Sequence, residues 1–282
     1  MILAIEKRKS VRTYYDKPLS MSDQLALKKA LKTIEKHTTP YNTKPRFFYQ
    51  ENAHQSSEDA KRIGTYGFVK NAPAFIGGIS HNTFESMVDF GYLFEKIVLW
   101  ATKNNIDSVW LGGTFKRQPF NDLLKEKEVI PAIAAVGYGA ETKTLREKLI
   151  RSQVKADERK PFETLFYSNS LETPIEHSKN NPHRYFIPLE LVRLGPSASN
   201  KQPWRVIIQG DDAHFYLKRT PKYATGLKID IQAIDMGIAL AHFEVGLIHL
   251  NMKYQMVQCK DIPTDDALEY VISFKIKTQP ST

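Results

Sequence analysis

Two passages of this chain recur in the same order, and that repetition restricts the possible folds more than any other feature. Thr39-Pro-Tyr-Asn-Thr-Lys-Pro-Arg-Phe-Phe-Tyr-Gln50 resembles Ser197-Ala-Ser-Asn-Lys-Gln-Pro-Trp-Arg-Val-Ile-Ile-Gln209, with Asn42 answering to Asn200 and Pro45 to Pro203. Further on, Val88-Asp-Phe-Gly-Tyr-Leu-Phe-Glu95 resembles Ile234-Asp-Met-Gly-Ile-Ala-Leu-Ala241. Asp89, Gly91 and Asn105 answer to Asp235, Gly237 and Asn251. One such echo arises readily by chance; two in register point to an internal duplication, in which each unit buries against its copy.

The first echo runs from a polar turn into a strand-like apolar run. The second is apolar nearly all round, which predicts a helix buried on every side. Strand candidates follow at Ser108 to Leu111 and Tyr254 to Val257. Each half thus reads as helix, Asn-Pro turn, strand, strand, buried helix, strand. The highly charged, aperiodic region from Glu141 to Asn181 reads as a connector. We expect one half over 1–165 and the other over 166–282.

Composition narrows the function classes. The single cysteine, Cys259, excludes an intramolecular disulfide and any zinc site built on several thiolates. Glu6, Lys7, Arg8 and Lys9 interrupt the opening residues before an apolar run of signal length accumulates, and no stretch approaches 18 uncharged apolar residues. The expectation is therefore a soluble cytoplasmic protein with no membrane partner. A net charge of +9 suits an anionic ligand. The basic residues are nevertheless dispersed among acidic ones, without the clustered aromatics of a nucleic-acid face, so no nucleic-acid partner is expected.

Three segments carry candidate chemistry. In Lys7-Arg8-Lys9-Ser10-Val11-Arg12, the residues Arg8, Ser10 and Arg12 alternate. If the segment is extended they share one face, and two planar guanidinium forks with a hydroxyl suit a phosphate. The same residues are equally compatible with an exposed basic helix end. Gly195-Pro-Ser-Ala-Ser-Asn-Lys-Gln-Pro-Trp204 is a tight polar turn whose Asn200 and Gln202 both donate and accept, as reading a heteroaromatic edge requires. It also reads as an ordinary turn opening a strand. Leu111-Gly-Gly-Thr-Phe115 permits close approach of backbone to a ligand, although a Gly-Gly turn needs none. No triad or metal site emerges. His242 and His249, seven apart on the second buried helix, read as core histidines, and Asp211-Asp212 reads as a hairpin turn.

Together these segments resemble the nitroreductase family of flavoproteins. Members open with an Arg-x-Ser-x-Arg-like arm, matched by Arg8, Ser10 and Arg12. They carry a Pro-Ser-x-x-Asn-x-Gln-Pro-Trp turn, matched by Pro196, Ser197, Asn200, Gln202, Pro203 and Trp204. A glycine loop, here Gly112-Gly113, lies near the flavin, and Ile133-Ala-Ala-Val-Gly-Tyr-Gly139 is similar to the late strand. Arg159-Lys160-Pro161 resembles the basic segment that closes on the FMN phosphate.

The resemblance implies an α+β, nitroreductase-like fold, a mainly antiparallel central sheet flanked by helices, present twice in one chain as an intrachain pseudo-dimer. Ordinary members are homodimers whose FMN takes the arm from one subunit and the turn from the other. Here the good arm lies in the first half and the good turn in the second, whereas Pro40-Tyr-Asn-Thr-Lys-Pro-Arg46 lacks the Ser, Gln and Trp. The implied protein is a monomer holding one FMN. Arg8, Lys9, Ser10, Arg12 and Arg159 would hold the phosphate and ribityl chain, with Pro196, Ser197, Asn200 and Gln202 along the ring. An amide of Gly112 or Gly113 would reach flavin N5. Hydride would pass from NADH or NADPH to a nitroaromatic, quinone or similar planar small-molecule acceptor. A flavin-binding protein without reductive activity and a scaffold that has lost the chemistry are the competing readings.

Overall fold

The computed structural model describes residues 1–52, 69–140, 158–176, 182–223 and 225–277. Of the connector expected over 141–181, residues 141–157 and 177–181 therefore lie outside the described residues.

Five α-helices, three short 3-10 helices and two sheets make up the described residues. The helices are α1 (Ile2–Lys7), α2 (Met21–Ile34), α3 (Phe84–Lys103), α4 (Phe186–Leu194) and α5 (Ile231–His249). The first sheet contains β1 (Arg46–Glu51), β2 (Ala74–His81), β3 (Asp107–Leu111), β4 (Glu128–Val129) and β5 (Ile133–Gly137). The second contains β6 (Phe166–Ser168), β7 (Trp204–Gln209), β8 (Asp212–Leu217), β9 (Lys253–Val257) and β10 (Glu269–Lys277). Strand order is β1-β2-β5-β3 in one sheet and β7-β8-β10-β9 in the other, with β4 added beside β2 and β6 beside β7. Every pairing is antiparallel except β6 with β7. The two halves thus share one plan, and each closes with a strand, β5 or β10, inserted inside its sheet. Of the two, only β5 was expected from the sequence.

The echoed residues mark positions where the backbone dictates residue type. Asn42 and Asn200 have φ of 56° and 54°, and Asn105 and Asn251 have φ of 58° and 54°. Asparagine tolerates this left-handed region better than other residues with a Cβ. Asn105 and Asn251 end α3 and α5 in the same way. Ile106 N donates to Ala101 O and Asn105 N to Thr102 O, while Met252 N donates to Leu247 O and Asn251 N to Ile248 O. Both are Schellman closures that satisfy the last carbonyls of a helix. At their starts Thr83 accepts from Ser86 N and Asp230 from Ala233 N, side-chain caps for amides that lack helical partners.

The core is organised around the crossing of α3 and α5. Every residue from Gln232 to Leu247 is buried, and α3 is buried from Ser86 to Glu95. A Cβ on Gly91 would sit 2.2 Å from Ile234 O, and one on Gly237 would sit 2.0 Å from Val88 O. Val88 and Ile234 are themselves counterparts, so the contact is reciprocal, as in a two-fold interface. Glycine at both positions lets the two backbones touch. By length and composition α5 is long and apolar enough to cross a membrane, but 83% of that window is buried inside the fold. It is a core helix.

Candidate functional site

The chain turns extended as soon as α1 ends. Arg8 has φ −58° and ψ 125°, and Val11 N donates to Ser108 O of β3 at 3.0 Å. Tyr14, 1% exposed, pins the arm with its hydroxyl, whose single hydrogen is shared between Val11 O at 2.7 Å and Ala135 O at 3.0 Å. Alternation then does what the pleat requires: Val11 and Thr13 are buried, while Arg8, Ser10 and Arg12 face one cavity. Of the two readings of this segment, the extended one describes the backbone.

That cavity, of about 420 Å³, lies between the halves and is of the size small ligands occupy. The first half contributes the arm, Trp110, Leu111, Gly112, Gly113, Thr114 and Ala132; the second contributes Pro196 to Asn200, Tyr223, Leu227, Ile231, Ile234, Asp235 and Ile238. Arg159 joins them. Three arginines and a serine thus share the cavity with a wall of isoleucines from α5 and with a polar turn. The electrostatics suit an anionic group attached to a flat, largely apolar body.

The turn is built by its own side chains. Ser199, Asn200 and Gln202 have φ of 47°, 54° and 48°, a run of left-handed residues that costs energy unless the surroundings hold it. Gln202 N donates to Ser197 Oγ at 2.9 Å, and Gln202 Nε2 donates to Asn200 O at 3.2 Å. Lys160 N donates to Gln202 Oε1 at 2.9 Å, and Asn200 Nδ2 donates to Glu158 O at 2.9 Å. Gln202, 3% exposed, is therefore a strut behind the turn and does not line the cavity. Lys9 is exposed and does not line it. The other sequence candidates, Arg8, Ser10, Arg12, Gly112, Gly113, Arg159, Pro196, Ser197 and Asn200, all line it.

Gly112 and Gly113 serve space and not conformation, since neither has a positive φ. A Cβ on Gly112 would meet Ile231 Cδ1 at 2.5 Å, and one on Gly113 would meet Leu227 Cδ1 at 3.3 Å. Arg117 fixes the loop, donating to Gly112 O, Pro131 O and Ile130 O at 2.8 to 2.9 Å. Nothing in the spacing of the sequence marks Arg117, because it acts only through backbone carbonyls.

Behind the cavity Trp110 donates Nε1–H to Glu95 Oε2 at 2.9 Å, and Glu95 Oε1 lies 2.9 Å from His242 Nε2. His242 Nδ1 faces Leu191 O at 2.8 Å and can only donate there. Its other nitrogen faces a carboxylate oxygen, so one proton sits between the two groups. Glu95 and His242 are wholly buried. His242 is a hydrogen-bonded core histidine that orients Trp110 through Glu95, while His249 stands exposed in the last turn of α5. The hairpin turn is Gly210–Asp211, and Asp212 opens β8. Among the described residues no group of three or more His, Cys, Asp and Glu is placed to hold a metal ion.

A family model described as "Putative TM nitroreductase" matches residues 1–247. Among solved structures, a "putative nitroreductase" of Thermotoga maritima MSB8 is similar over 97% of this chain and 92% of its own, at 16% identity with a TM-score of 0.60. An "FMN-dependent Nitroreductase" of Clostridium difficile R20291 is similar over 51% of this chain and 90% of its own, at 20% identity and TM-score 0.38. A "Nitroreductase Family Protein" of Streptococcus pneumoniae TIGR4 covers 51% and 93%, at 14% identity and TM-score 0.42. No curated protein matches the chain. The Thermotoga likeness is one of fold, and it runs through both halves. With that fold, and with the family model matched along most of its length, this chain belongs to the nitroreductase family.

Proposed function

We propose that the protein binds one FMN in the cavity between its halves and works as an FMN-dependent oxidoreductase, taking hydride from NADH or NADPH and delivering it to a nitroaromatic, quinone or similar planar acceptor. Members of the family are oxidoreductases that commonly bind FMN. One observation carries the reading: the arm, the glycine loop, Arg159 and the Pro196–Asn200 turn, far apart in sequence, line one cavity.

The residues fit the group. Arg8, Arg12 and Arg159 with the Ser10 hydroxyl would hold a phosphate, because guanidinium stays charged at any working pH and pairs with two oxygens at once. Pro196, Ser197 and Asn200 would flank the ring from the second half. Ile231, Ile234 and Ile238 give an apolar wall that excludes water from one side of it. Bound FMN supplies the acceptance and release of hydride, and the protein holds and orients it. This reading requires no protein nucleophile or general base.

The test is flavin retention. Arg8→Ala removes a charge-assisted pair worth about 1.5–3 kcal/mol, so FMN affinity falls roughly 10- to 150-fold with the fold unchanged by circular dichroism. Wild-type protein holds about one FMN per chain. Equal retention by the variant on dialysis would remove Arg8 from the site, and no uptake of FMN by wild-type protein would end the flavin reading.

A further inference from the structure

Asp89 and Asp235 occupy equivalent places in the two halves, and each meets the turn of its own half. Asp89 accepts from Thr39 Oγ1 (2.7 Å), Tyr41 N (2.9 Å), Thr43 N (2.8 Å) and Thr43 Oγ1 (2.8 Å), so both its oxygens are occupied. Asp235 Oδ1 accepts from Ala198 N at 2.9 Å. Its Oδ2 is buried with no hydrogen-bond partner among the described residues, on a side chain 2% exposed that lines the cavity.

The sequence explains the difference. The counterparts of Thr39 and Thr43 are Ser197 and Lys201. Ser197 Oγ accepts from Gln202 N at 2.9 Å and makes no bond to Asp235 Oδ2, and Lys201 Nζ lies over the Tyr223 ring at 5.4 Å. Neither donates to Asp235. A buried carboxylate lacking donors is costly, and such a group keeps its proton instead. Burial, with a smaller contribution from Asp230, holds the Asp235 carboxyl well above the usual carboxylate range, against the pull of the Ala198 amide. The other titratable neighbour is the Tyr223 phenol, itself raised by burial and by Asp235. Across the helix crossing, the α3 backbone at Val88 and Gly91 brings no ionisable group, and the charges in the cavity are Arg8, Arg12 and Arg159.

We propose that Asp235 is a ligand-binding residue of the cavity, whose protonated carboxyl donates a hydrogen bond from Oδ2 to an acceptor atom, a ring carbonyl oxygen or ring nitrogen, of the planar molecule held there. The identity of that molecule as a flavin rests on the function proposed above. Donation from a neutral acid also explains why the oxygen can stand without a protein partner: its partner is the ligand.

The experiment measures FMN and riboflavin affinity of flavin-free protein from pH 6 to 9 for wild type, Asp235→Asn and Asp235→Ala. Riboflavin lacks the phosphate, so a slope shared by both ligands belongs to the protein. Wild-type affinity falls as pH rises and the acid ionises. Asp235→Asn keeps both the Ala198 bond and a donor, so its affinity is flat with pH. Asp235→Ala loses roughly tenfold at pH 6. An equal slope in Asp235→Asn, or no loss of affinity in Asp235→Ala, overturns the proposal. Infrared spectra of the flavin-free proteins give an independent reading. A carboxylic-acid carbonyl band at pH 7 that vanishes in Asp235→Asn supports it, and its absence from wild type overturns it. If no flavin binds at any pH while the band is present, the flavin reading fails and the protonated acid stands.

Discussion

The two turns, 39–43 and 196–202, differ far more in what surrounds them than in how the chain runs through them. Both place an asparagine at nearly the same positive φ and lean an amide on the aspartate of a core helix. Around the first, two threonines saturate Asp89, and Tyr41 reaches across to donate its hydroxyl to Val271 O of the other half at 2.5 Å. Around the second, the hydrogen bonds run among the turn's own residues and to Glu158 and Lys160, and one carboxyl oxygen is left in a cavity. The preceding segments differ too. Arg8 and Arg12 line the cavity, whereas Arg184, ahead of α4, is taken up by Gly210 O and Asp211. The repeated skeleton places two equivalent turns beside two equivalent aspartates. A handful of side chains decides that the carboxylate is saturated beside one turn and left open to a cavity beside the other.

If the skeleton is truly reciprocal, its two crossing glycines are equally intolerant. Gly91→Ala and Gly237→Ala each drive a methyl into the backbone of the partner helix, which cannot rotate aside as a side chain would. Each is expected to cost about 3 kcal/mol or to prevent folding, read by denaturant unfolding. A severe effect at one position and a mild one at the other would break the equivalence of the halves.

The aspartates should then separate. Asp89→Asn turns an amide group toward hydrogen-bond donors it cannot accept from, for an expected loss of about 2 kcal/mol. Asp235→Asn keeps its one acceptor in use and places its new donor in the cavity, so stability changes by less than about 0.5 kcal/mol. Comparable losses from the two substitutions would mean that both turns serve the fold alike.

The sequence was most informative where the backbone restricts residue type. Asn42 with Asn200, Asn105 with Asn251 and Gly91 with Gly237 are legible as echoes because left-handed φ and backbone contact admit few alternatives. The alternation of Arg8, Ser10 and Arg12 was legible for the same kind of reason. Ile231, Ile238 and Leu227 were not, since an apolar residue on a helix or loop looks the same whether it faces core or cavity. Gln202 and Lys9 matched a motif or a run of charge, yet one props the turn from behind and the other faces solvent. Asp235 was read as half of an echo, and its open oxygen follows from what Ser197 and Lys201 do instead of meeting it.

The smallest expected effect concerns charge. In the first half, two cations near the turn pair with carboxylates: Arg46 with Glu128 at 2.6 Å and Lys32 with Glu35 at 3.0 Å. Beside the second turn Lys160, Lys201, Arg205 and Lys218 lie together, and none makes an ion pair with a carboxylate among the described residues. Burial and then the three neighbouring cations push the Lys160 ammonium down to about 8 from its ordinary 10.5. A base whose folded pKa lies below its unfolded one destabilises the fold while protonated in both states, below about pH 8, and that cost fades as pH rises toward 10.5. Lys160 is half-buried and screened by solvent, so Lys160→Met is expected to raise Tm by only about 2 °C at pH 7. At pH 10 most of that gain should be gone. A gain equally large at both pH values would trace to the methionine's packing, and the charge contrast between the turns would carry no energetic weight.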